Sequence, residues 1–563
     1  MIIQAIVDIA AICAGHRITQ AVICPGSRSA PLTLAFSRHQ GIKTYVIPDE
    51  RSAGYVALGL AQSSGKPVAV VTTSGTAAAN IYPAVIEAFY QRVPLLVFTA
   101  DRPPEWIDQQ DGQAIRQYNL YERHVLRSFQ FPSMTESTDA KWHANRLVNE
   151  AIMEAQKGGP VHVNVPIREP FYPKTDEQWY YSENVRIIMQ RSGTNLSVKE
   201  DITELLSHVK EFGKVMLLVG QYRMDYASRS VLQELSDRCG WLIVGDIVSN
   251  VHTVSGAITR QELILKKQAD HGILAPELLI SIGQSVLSKA LKSFLRQHQP
   301  LQHWHIGEGH TLVDTLMTLT KKVVASPAQF FSQLLQADMH ASSGQLKYQQ
   351  KWFSLQMDVA NDSDRLLAKK ATGELAAVAE ILKHLPPSCD LHLANSMTVR
   401  NANLLGLKAH NEVRVWSNRG TSGIDGCTST AIGHAINEER IQLLLTGDMA
   451  FFYDRNALWH HHLTDNLRIV VLNNHGGGIF RLIDGSCNLP ELDGYFETTQ
   501  ALSAVNTAKD FDMAYYCTDT IADLNKILPD FLSIKNGKSI LEFFSDGKSN
   551  QQIYDAIVNG MAK

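Results

Sequence analysis

Two polar clusters in the last third of the chain have the residue types of a metal site. Asp448 follows the apolar run 443–445, and Asn474 follows the apolar run 469–472. Side chains that follow neighbouring parallel strands meet at one edge of a sheet, where ligands collect. Oxygen ligands with open positions suit Mg²⁺, which binds through few protein groups together with phosphate oxygens. From spacing alone, a metal site and two ordinary strand–helix turns are equally good interpretations.

Two turns in the first third of the chain have the composition of an anion site. Residues 25–29 (PGSRS) combine Gly and Ser with Arg28, and residues 72–76 (TTSGT) are also small and polar. Such turns expose backbone N–H groups at the start of a helix. Without the lysine of GxxxxGK[ST], the second turn is not a P-loop. Taken alone, 25–29 is better explained as an ordinary tight turn.

One acidic pair, Asp49 and Glu50, precedes a helical pattern over 53–62. Asp49 has the residue type of an N-cap, which places Glu50 in the first helical turn. The helix dipole alone favours acidic side chains at that position, so the position by itself gives Glu50 no function.

Two groups of histidines look like metal ligands. His460, His461 and His462 are consecutive, and consecutive side chains on a helix point about 100° apart, so they cannot chelate together. His303 and His305 share one face of a predicted strand, but no third ligand accompanies them. We therefore expect no zinc site at the first group, and packing or hydrogen bonding at the second.

Strand-like apolar runs alternate with helical patterns over three long segments. Such alternation predicts an α/β fold of three doubly wound domains, each a parallel sheet covered by helices on both faces. We place the domains at 1–185, 196–345 and 372–563, with a polar linker at 172–195 and a helical connector at 326–372. Besides 53–62, a helix is predicted over 77–90. The predicted strands are 21–24, 45–47, 68–71, 95–98, 161–165, 215–219, 241–244, 278–282, 303–306, 391–394, 413–416, 443–445, 469–472 and 540–544.

Composition excludes several classes of protein. The 563 residues are 45% hydrophobic and 19% charged, with a net charge of −4, which favours folded cores and gives no electrostatic reason to bind nucleic acid. No uncharged apolar run is long enough to span a membrane. An amphipathic first helix, with Ile2, Ile6, Ile9 and Cys13 on one face, explains the apolar start better than a signal peptide does. Seven scattered cysteines without CxxC spacing indicate a reduced, cytoplasmic protein.

Several long motifs resemble one enzyme family. Gly447-Asp448-Met449, followed by Asn473-Asn474, resembles the diphosphate–metal motif of thiamine diphosphate-dependent enzymes, although the superfamily motif has Gly in place of Met449. The resemblance is strongest to the branch that joins 2-oxoglutarate to isochorismate in menaquinone biosynthesis. The other supporting segments are 24–35 (CPGSRSAPLTLA), 49–61 (DERSAGYVALGLA), 72–88 (TTSGTAAANIYPAVIEA), 99–105 (TADRPPE), 113–117 (QAIRQ), 417–430 (SNRGTSGIDGCTST) and 473–483 (NNHGGGIFRLI).

This resemblance implies roles for individual residues. Glu50 would be catalytic and hydrogen-bond the cofactor's aminopyrimidine ring, and Ile424 would hold the cofactor in a bent conformation. The implied ligands of Mg²⁺ or Mn²⁺ are Asp448, Asn474 and the carbonyl of Gly476. Further cofactor contacts are implied for Ser396, Ile479 and Phe480. The implied substrate-binding residues are Ser27, Arg28, Arg102, Gln113, Lys289, Ser396, Arg400, Arg419 and Ile483, although Ala290 follows Lys289 where relatives often carry a second basic residue.

The implied reaction is a decarboxylation followed by formation of a carbon–carbon bond. A carboxylate that bonds the pyrimidine nitrogen favours the tautomer that can remove the thiazolium proton, and the cofactor serves as an electron sink for CO₂ loss from 2-oxoglutarate. The succinyl unit then adds to isochorismate. Both substrates are dicarboxylates, which suits a site rich in arginine. The resemblance also implies a homodimer or a dimer of dimers, with the cofactor between the first domain of one subunit and the third domain of another.

Three alternatives stay open at the level of sequence. The first is another enzyme of the superfamily, such as an acetolactate synthase or a simple decarboxylase, which the arginines disfavour because its substrates are small and apolar. The second is a catalytically inactive binding protein, against which the retention of Glu50, Asp448 and Asn474 argues. The third is a nucleotide-binding α/β protein, for which neither GxGxxG nor a P-loop occurs in the required context.

Overall fold

Three parallel sheets with flanking helices form the framework of the protein. The computed structural model describes residues 3–174, 177–183, 185–190, 208–309, 311–337, 339–369, 372–407, 412–483 and 485–560. Within these residues every pair of neighbouring strands is parallel, so the predicted α/β class is confirmed. We call each sheet with its flanking helices the first, central or third unit. The predicted domain limits stay predictions.

The first unit contains a six-stranded sheet of order β2-β1-β3-β4-β6-β5. Its inner strands β3, β4 and β6 are buried along their whole length, as expected for a parallel sheet covered on both faces. Polar side chains of β4 and β6 pair inside the sheet, as in the contact of Thr99 with His162 at 2.8 Å. The strands are β1 Gln20–Ile23, β2 Lys43–Val46, β3 Val68–Thr72, β4 Leu95–Asp101, β5 Ser128–Gln130 and β6 Val161–Pro166.

The third unit repeats the topology of the first. Its six-stranded sheet has the order β13-β12-β14-β15-β17-β16, whereas the five-stranded central sheet has the order β11-β10-β9-β7-β8. The central strands are β7 Val215–Val219, β8 Leu242–Gly245, β9 Leu278–Ile282, β10 Gln302–Ile306 and β11 Lys321–Val323. The strands of the third unit are β12 Cys389–Leu393, β13 Arg414–Trp416, β14 Ile441–Gly447, β15 Leu467–Asn473, β16 Ala514–Thr518 and β17 Ser539–Phe544.

The predicted strands are all present, and the predictions missed β5, β11 and β16. Each of these three strands lies at an edge of its sheet, and each is at least partly exposed along most of its length. An edge strand needs no long apolar run, because it is not buried on both faces. The apolar runs that identified the inner strands are therefore absent from these edge strands.

The helices agree with the predictions except at one break. The predicted helix over 77–90 is wrong as a single element, because two helices meet at Ile81 and Pro83 lies in the first turn of the second, where its missing N–H costs nothing. The predicted connector is helical. The main helices are Gln4–Gly15, Ala30–Arg38, Glu50–Ser64, Thr76–Asn80, Tyr82–Gln91, Thr138–Ala155, Tyr226–Cys239, Gln261–Lys267, Lys289–Gln297, Pro327–Leu335, Ser343–Lys369, Gly373–Lys383, Met397–Leu405, Cys427–Asn437, Asp448–Tyr453, Val505–Asp510, Ile521–Phe531 and Gly547–Gly560.

The start of the chain and the linker both pack on the first unit. Ile6, Ile9 and Cys13 of the first helix are buried as predicted, whereas Ile2 lies outside the described residues. The predicted linker 172–195 is only partly described. In the described part, the Tyr181 hydroxyl donates to the carbonyl of Ala35 at 2.7 Å.

The three units share buried surfaces. One apolar cluster joins the central and third units, and another joins the first and third. The helices Glu50–Ser64 and Cys427–Asn437 approach so closely that a Cβ atom at Gly59 would lie 2.1 Å from the carbonyl oxygen of Thr430. Only glycine fits there. Among the helices of the described residues, none combines the length and the apolar character needed to cross a membrane.

Candidate functional site

Asp448 and Asn474 follow two paired strands, as predicted. β14 ends at Gly447 and β15 at Asn473, and Gly447 lies opposite Leu472 in the sheet. Asp448 is 2% exposed, and Gln500 Nε2 donates to its carboxylate at 2.7 Å. Burial raises the pKa of the Asp448 carboxyl, although hydrogen bonds from Gln500 and from backbone N–H groups, including that of Gly476, oppose this shift.

The backbone between Asn474 and Gly478 forms a tight turn beside Asp448. The N–H of Gly476 donates to Asn474 Oδ1 at 3.2 Å, and the Gly476 carbonyl accepts from the N–H of Gly478 at 3.1 Å. Three oxygen donors of the predicted metal site therefore belong to one turn and the strand end next to it. Two of these donors are an amide oxygen and a backbone carbonyl. Among the described residues, no metal site could be built from three or more His, Cys, Asp or Glu side chains alone.

Glu374, which the sequence motifs do not predict, is a neighbour of this turn. It lies in the first turn of the helix Gly373–Lys383 and is 6% exposed. Its carboxylate accepts hydrogen bonds from Asn474 Nδ2 at 3.2 Å and from Asn401 Nδ2 at 3.0 Å. Burial, with a smaller contribution from Asp448, raises the pKa of Glu374 to about 7. The sequence feature that could have identified Glu374 is an acidic side chain at the start of an otherwise apolar helix.

Several non-glycine residues near the strand ends have left-handed backbone conformations. Ser396 has φ 74°, His475 has φ 62° and Gln113 has φ 57°. Such conformations cost on the order of 1–3 kcal/mol each and cluster at functional sites. Ser396 immediately precedes the helix Met397–Leu405, whose Arg400 donates to the Ser396 carbonyl at 2.5 Å.

Glu50 lies where the sequence predicted it. The Asp49 side chain accepts from the N–H of Ser52 at 3.2 Å and so caps the helix Glu50–Ser64. The Glu50 carboxylate accepts from Asn80 Nδ2 at 3.4 Å. Both residues belong to the first unit, whereas Asp448 and its neighbour Gln500 belong to the third. The start of the Glu50 helix also contacts the third unit, because Arg51 Nη2 donates to the carbonyl of Tyr453 at 2.8 Å and Asn456 Nδ2 donates to Asp49 at 2.8 Å.

Arg28 and Arg102 form a basic pair at the strand ends of the first unit. Arg28 is 8% exposed, lies 4.4 Å from the ring centre of Phe171 and donates to the carbonyl of Ile167 at 2.8 Å. Burial, followed by the nearby charge of Arg102, lowers the pKa of Arg28. Arg102 Nε bonds Asp111 at 2.5 Å. Ser27 and Gln113, the other substrate residues predicted here, are exposed.

A second basic group lies between the third and central units. Burial, followed by the charge of Arg400, lowers the pKa of Arg419. Lys289 is exposed at the start of the helix Lys289–Gln297. Lys292, three positions later on that helix, was not predicted. Burial lowers the pKa of Lys292, and the charges of Arg296, Arg419 and Lys289 act in the same direction against that of Asp246. Helical spacing from Lys289 was a signal that could have identified it.

The predicted apolar contacts lie on two loops of the third unit. Ile424 packs against the buried cluster of Ala394, Cys427 and Ala450. Ile479 and Phe480 lie in the short 3₁₀ helix Gly478–Leu482. Ile483, which follows this helix, is 42% exposed.

The two histidine groups make hydrogen bonds. His303 Nε2 and His305 Nδ1 lie 2.8 and 3.0 Å from the hydroxyl of Ser281, so the expected hydrogen bonding is confirmed. His460, His461 and His462 lie in a turn, so the helical geometry assumed from the sequence is wrong. His460 Nδ1 accepts from the N–H of His462 at 3.0 Å, and His462 Nε2 accepts from the N–H of Val46 at 3.0 Å.

Comparison with known proteins decides the family. Residues 5–120 match the family described as thiamine pyrophosphate enzyme, N-terminal TPP binding domain, and residues 172–393 match the family described as middle domain of thiamine pyrophosphate. A 2-succinyl-5-enolpyruvyl-6-hydroxy-3-cyclohexene-1-carboxylate synthase of Cytophaga hutchinsonii is 41% identical over 556 residues, which cover 98% of both chains. The chain belongs to this synthase family.

Other members of the synthase family match over the same length. The synthase of Flavobacterium psychrophilum is 37% identical over 98% of this chain and 97% of its own. The synthase of Bacteroides thetaiotaomicron is 35% identical over 97% of each chain. The synthase family therefore accounts for all three units rather than for one shared domain.

Proposed function

We propose that the protein catalyses the thiamine diphosphate-dependent decarboxylation of 2-oxoglutarate and the addition of the succinyl unit to isochorismate. The products are 2-succinyl-5-enolpyruvyl-6-hydroxy-3-cyclohexene-1-carboxylate and CO₂, and the step belongs to menaquinone biosynthesis. The observation that carries this proposal is the match to a synthase of that name at 41% identity over 98% of both chains.

The residues around Asp448 fit a divalent cation bound together with a diphosphate. The Asp448 carboxylate, Asn474 Oδ1 and the Gly476 carbonyl would be ligands of Mg²⁺ or Mn²⁺, which prefer such oxygen donors. The burial that raises the pKa of Asp448 favours a cation beside it, because a buried carboxylate is stabilised by opposite charge. Ser396, Ile479 and Phe480 would make further cofactor contacts, and Ile424 would support the bent cofactor.

Glu50 would hold a proton at the pyrimidine ring of the cofactor. Thiamine diphosphate, when bound, supplies a nucleophilic carbon and an electron sink for loss of CO₂. A carboxylate that hydrogen-bonds a ring nitrogen controls where the proton resides, which is a general acid–base role. The described contact of Glu50 with the amide of Asn80 leaves the carboxylate available for this bond.

The two basic groups would bind the carboxylates of the substrates. Charge-assisted hydrogen bonds from arginine to carboxylate contribute about 1.5–3 kcal/mol each. Two dicarboxylate substrates need several such partners. The proposed polar set consists of Ser27, Arg28, Arg102, Gln113, Lys289, Ser396, Arg400 and Arg419, to which we add Lys292 because of its position beside Arg419. Ile483 would line the same pocket by apolar contact.

We further propose that the active site forms between two chains, in a homodimer or a dimer of dimers. Glu50 of one chain would serve the site that contains Asp448 of another. This arrangement is the one that membership of the synthase family supports. All seven cysteines are free, which suits a reducing compartment, and we propose that the protein is cytoplasmic.

One assay tests the proposed reaction. The protein is incubated with thiamine diphosphate, Mg²⁺, 2-oxoglutarate and isochorismate, and the loss of isochorismate absorbance is followed. We expect turnover that requires both substrates. Turnover of pyruvate without turnover of 2-oxoglutarate and isochorismate would contradict the proposed substrates, while the cofactor class would stand.

A further inference from the structure

Glu87 has no role in the site described above, yet its carboxylate holds the loop that contains Arg419. Glu87 lies on the helix Tyr82–Gln91 of the first unit and is 1% exposed. It accepts hydrogen bonds from the N–H of Gly420 at 2.8 Å, the N–H of Thr421 at 2.7 Å and the hydroxyl of Thr421 at 2.6 Å. The N–H of Gly420 belongs to the peptide that directly follows Arg419, so this contact fixes the backbone at that residue.

The Glu87 carboxylate is used as an acceptor on both oxygens. Gln91 Nε2, one helical turn later, donates to it at 2.5 Å. An ionised carboxylate only accepts hydrogen bonds, and its bonds to N–H groups are stronger than those between neutral groups. An amide at this position would present its NH₂ group to donors and leave at least one of them without a partner. The negative charge of Glu87 also acts on Arg419 through space.

The same loop is held from its other sides. Gln221 Nε2 of the central unit donates to the carbonyl of Ser417 at 2.9 Å, and the hydroxyl of Ser285 donates to the carbonyl of Arg419 at 3.3 Å. Within the third unit, Arg419 Nη1 donates to Asn395 Oδ1 at 2.8 Å. The loop between β13 and the helix Cys427–Asn437 therefore lies where all three units meet. The first unit contacts it through Glu87 and through the Tyr55 hydroxyl, which donates to Asp425 at 3.0 Å.

The approach of Glu87 to the loop leaves no space for a larger residue at position 420. A Cβ atom at Gly420 would lie 2.9 Å from the Glu87 carbonyl oxygen and 3.0 Å from its carboxyl carbon. These separations are shorter than ordinary van der Waals contacts. Gly420→Ala would therefore push the loop away from Glu87 without removing the carboxylate.

We propose that Glu87 is a positioning residue for substrate binding: it fixes the backbone after Arg419 so that the guanidinium faces a substrate carboxylate. The inference rests on the proposed function, which gives Arg419 that carboxylate. It also means that the first unit of a chain orders the substrate loop of its own third unit, whereas Glu50 of the same unit would serve the partner's site.

Steady-state kinetics of Glu87→Gln and Gly420→Ala test the proposal, with Glu154→Gln as the control because Glu154 pairs with Lys157 on the surface of the same unit. We expect both test variants to raise KM for one of the two substrates by roughly tenfold, with kcat much less affected. The thermal unfolding midpoint is measured beside the kinetics, because an unpaired buried donor or a clash also lowers stability. The control should match the unmodified protein. Using two variants keeps the test valid if one of them fails to fold.

A double-mutant cycle separates positioning from general destabilisation. If Glu87 acts through Arg419, Glu87→Gln should add little to the KM of an Arg419→Ala enzyme, because coupled residues are not additive. An equal effect in both backgrounds, or an unchanged KM in both test variants, would overturn this inference alone. Absence of any turnover by the unmodified protein would instead remove the substrate role of Arg419, and with it both proposals.

Discussion

At the scale of a single residue, the Glu50 carboxylate combines a position at a helix N-terminus with a neutral hydrogen-bond partner. It belongs to the first turn of a capped helix, where the helix dipole stabilises its charge, and it has an amide rather than a cation as its described partner. The described contact therefore orients the carboxylate through a neutral amide. That combination suits a group whose proposed role is to bond a ring nitrogen.

Replacing Glu50 by Gln should lower turnover by about 10²-fold or more, because general acid–base catalysis contributes that much. The amide keeps the shape of the side chain, so thiamine diphosphate should still bind, which a calorimetric titration would measure. Glu154→Gln again serves as the control. Near-normal turnover in Glu50→Gln would remove this residue from the mechanism.

His162 should make the stability of the protein depend on pH. It lies in β6, with its Nε2 atom 2.8 Å from the hydroxyl of Thr99, and burial lowers the pKa of His162 from 6.5 to about 3. Between pH 6.5 and about pH 3, His162 is therefore protonated in the unfolded chain and neutral in the folded protein. This contribution to stability is complete above the unfolded value and is lost as the pH falls towards the folded one.

His162→Gln removes this titration. The free energy of unfolding should then differ between pH 7 and pH 4.5 by on the order of 2 kcal/mol less than in the unmodified protein. Urea denaturation at both pH values measures the difference. An unchanged pH dependence would show that His162 does not carry it.

Residue types and spacing predicted the residues that follow the apolar strands, but not the residues that reach the site through packing between helices. Asp448 and Asn474 were identifiable because each follows a strongly apolar strand, and the two strands pair as expected. Glu374 and Glu87 lie in helices far from Asp448 and Asn474 in sequence, although Glu87 belongs to the segment 72–88 that supports the family resemblance. Their contacts with Asn474 and with Gly420 arise from packing between elements, which no local pattern records.

At the scale of elements, burial decided which strands could be predicted. β14 and β15 are almost wholly buried, and each contains an apolar run of three or more residues. β11 has the sequence Lys-Lys-Val, and none of its residues is buried. β16 contains Tyr515 and Tyr516, a composition typical of strands, so this strand carried a usable signal that a search for aliphatic runs passes over.

The contact between the helices Glu50–Ser64 and Cys427–Asn437 should tolerate no added methyl group. A Cβ atom at Gly433 would lie 2.2 Å from the carbonyl oxygen of Val56. Gly433→Ala should therefore destabilise the protein by about 1–3 kcal/mol through overpacking, although the same change inside an exposed helix is stabilising.

Denaturant unfolding of Gly433→Ala measures this cost. The control is Gly494→Ala, since a Cβ atom there would have no neighbour within 4 Å, and its free energy of unfolding should change by less than about 0.5 kcal/mol. Equal stabilities of the two variants would contradict the close approach of the helices.

At the scale of the whole molecule, the proposed dimer makes Glu50 and Asp448 complementary between chains. Glu50→Gln and Asp448→Ala subunits should each be inactive alone. After equal mixing with subunit exchange, about a quarter of all sites combine an unmodified Glu50 with an unmodified Asp448. Activity should therefore return to about a quarter of the normal value, as measured by turnover before and after exchange. No recovery despite proven exchange would contradict a site shared between chains.

The contact of Gly59 with Gly433 also has a consequence for how the protein is made. These glycines lie in the first and last thirds of the chain, so the face around Gly59 is complete long before its partner helix exists. At about 5–20 residues per second, synthesis leaves this face uncovered for on the order of tens of seconds. Chaperone binding to nascent chains should therefore depend on this face, and polar substitutions there should raise the yield of the isolated first unit while weakening the complete protein.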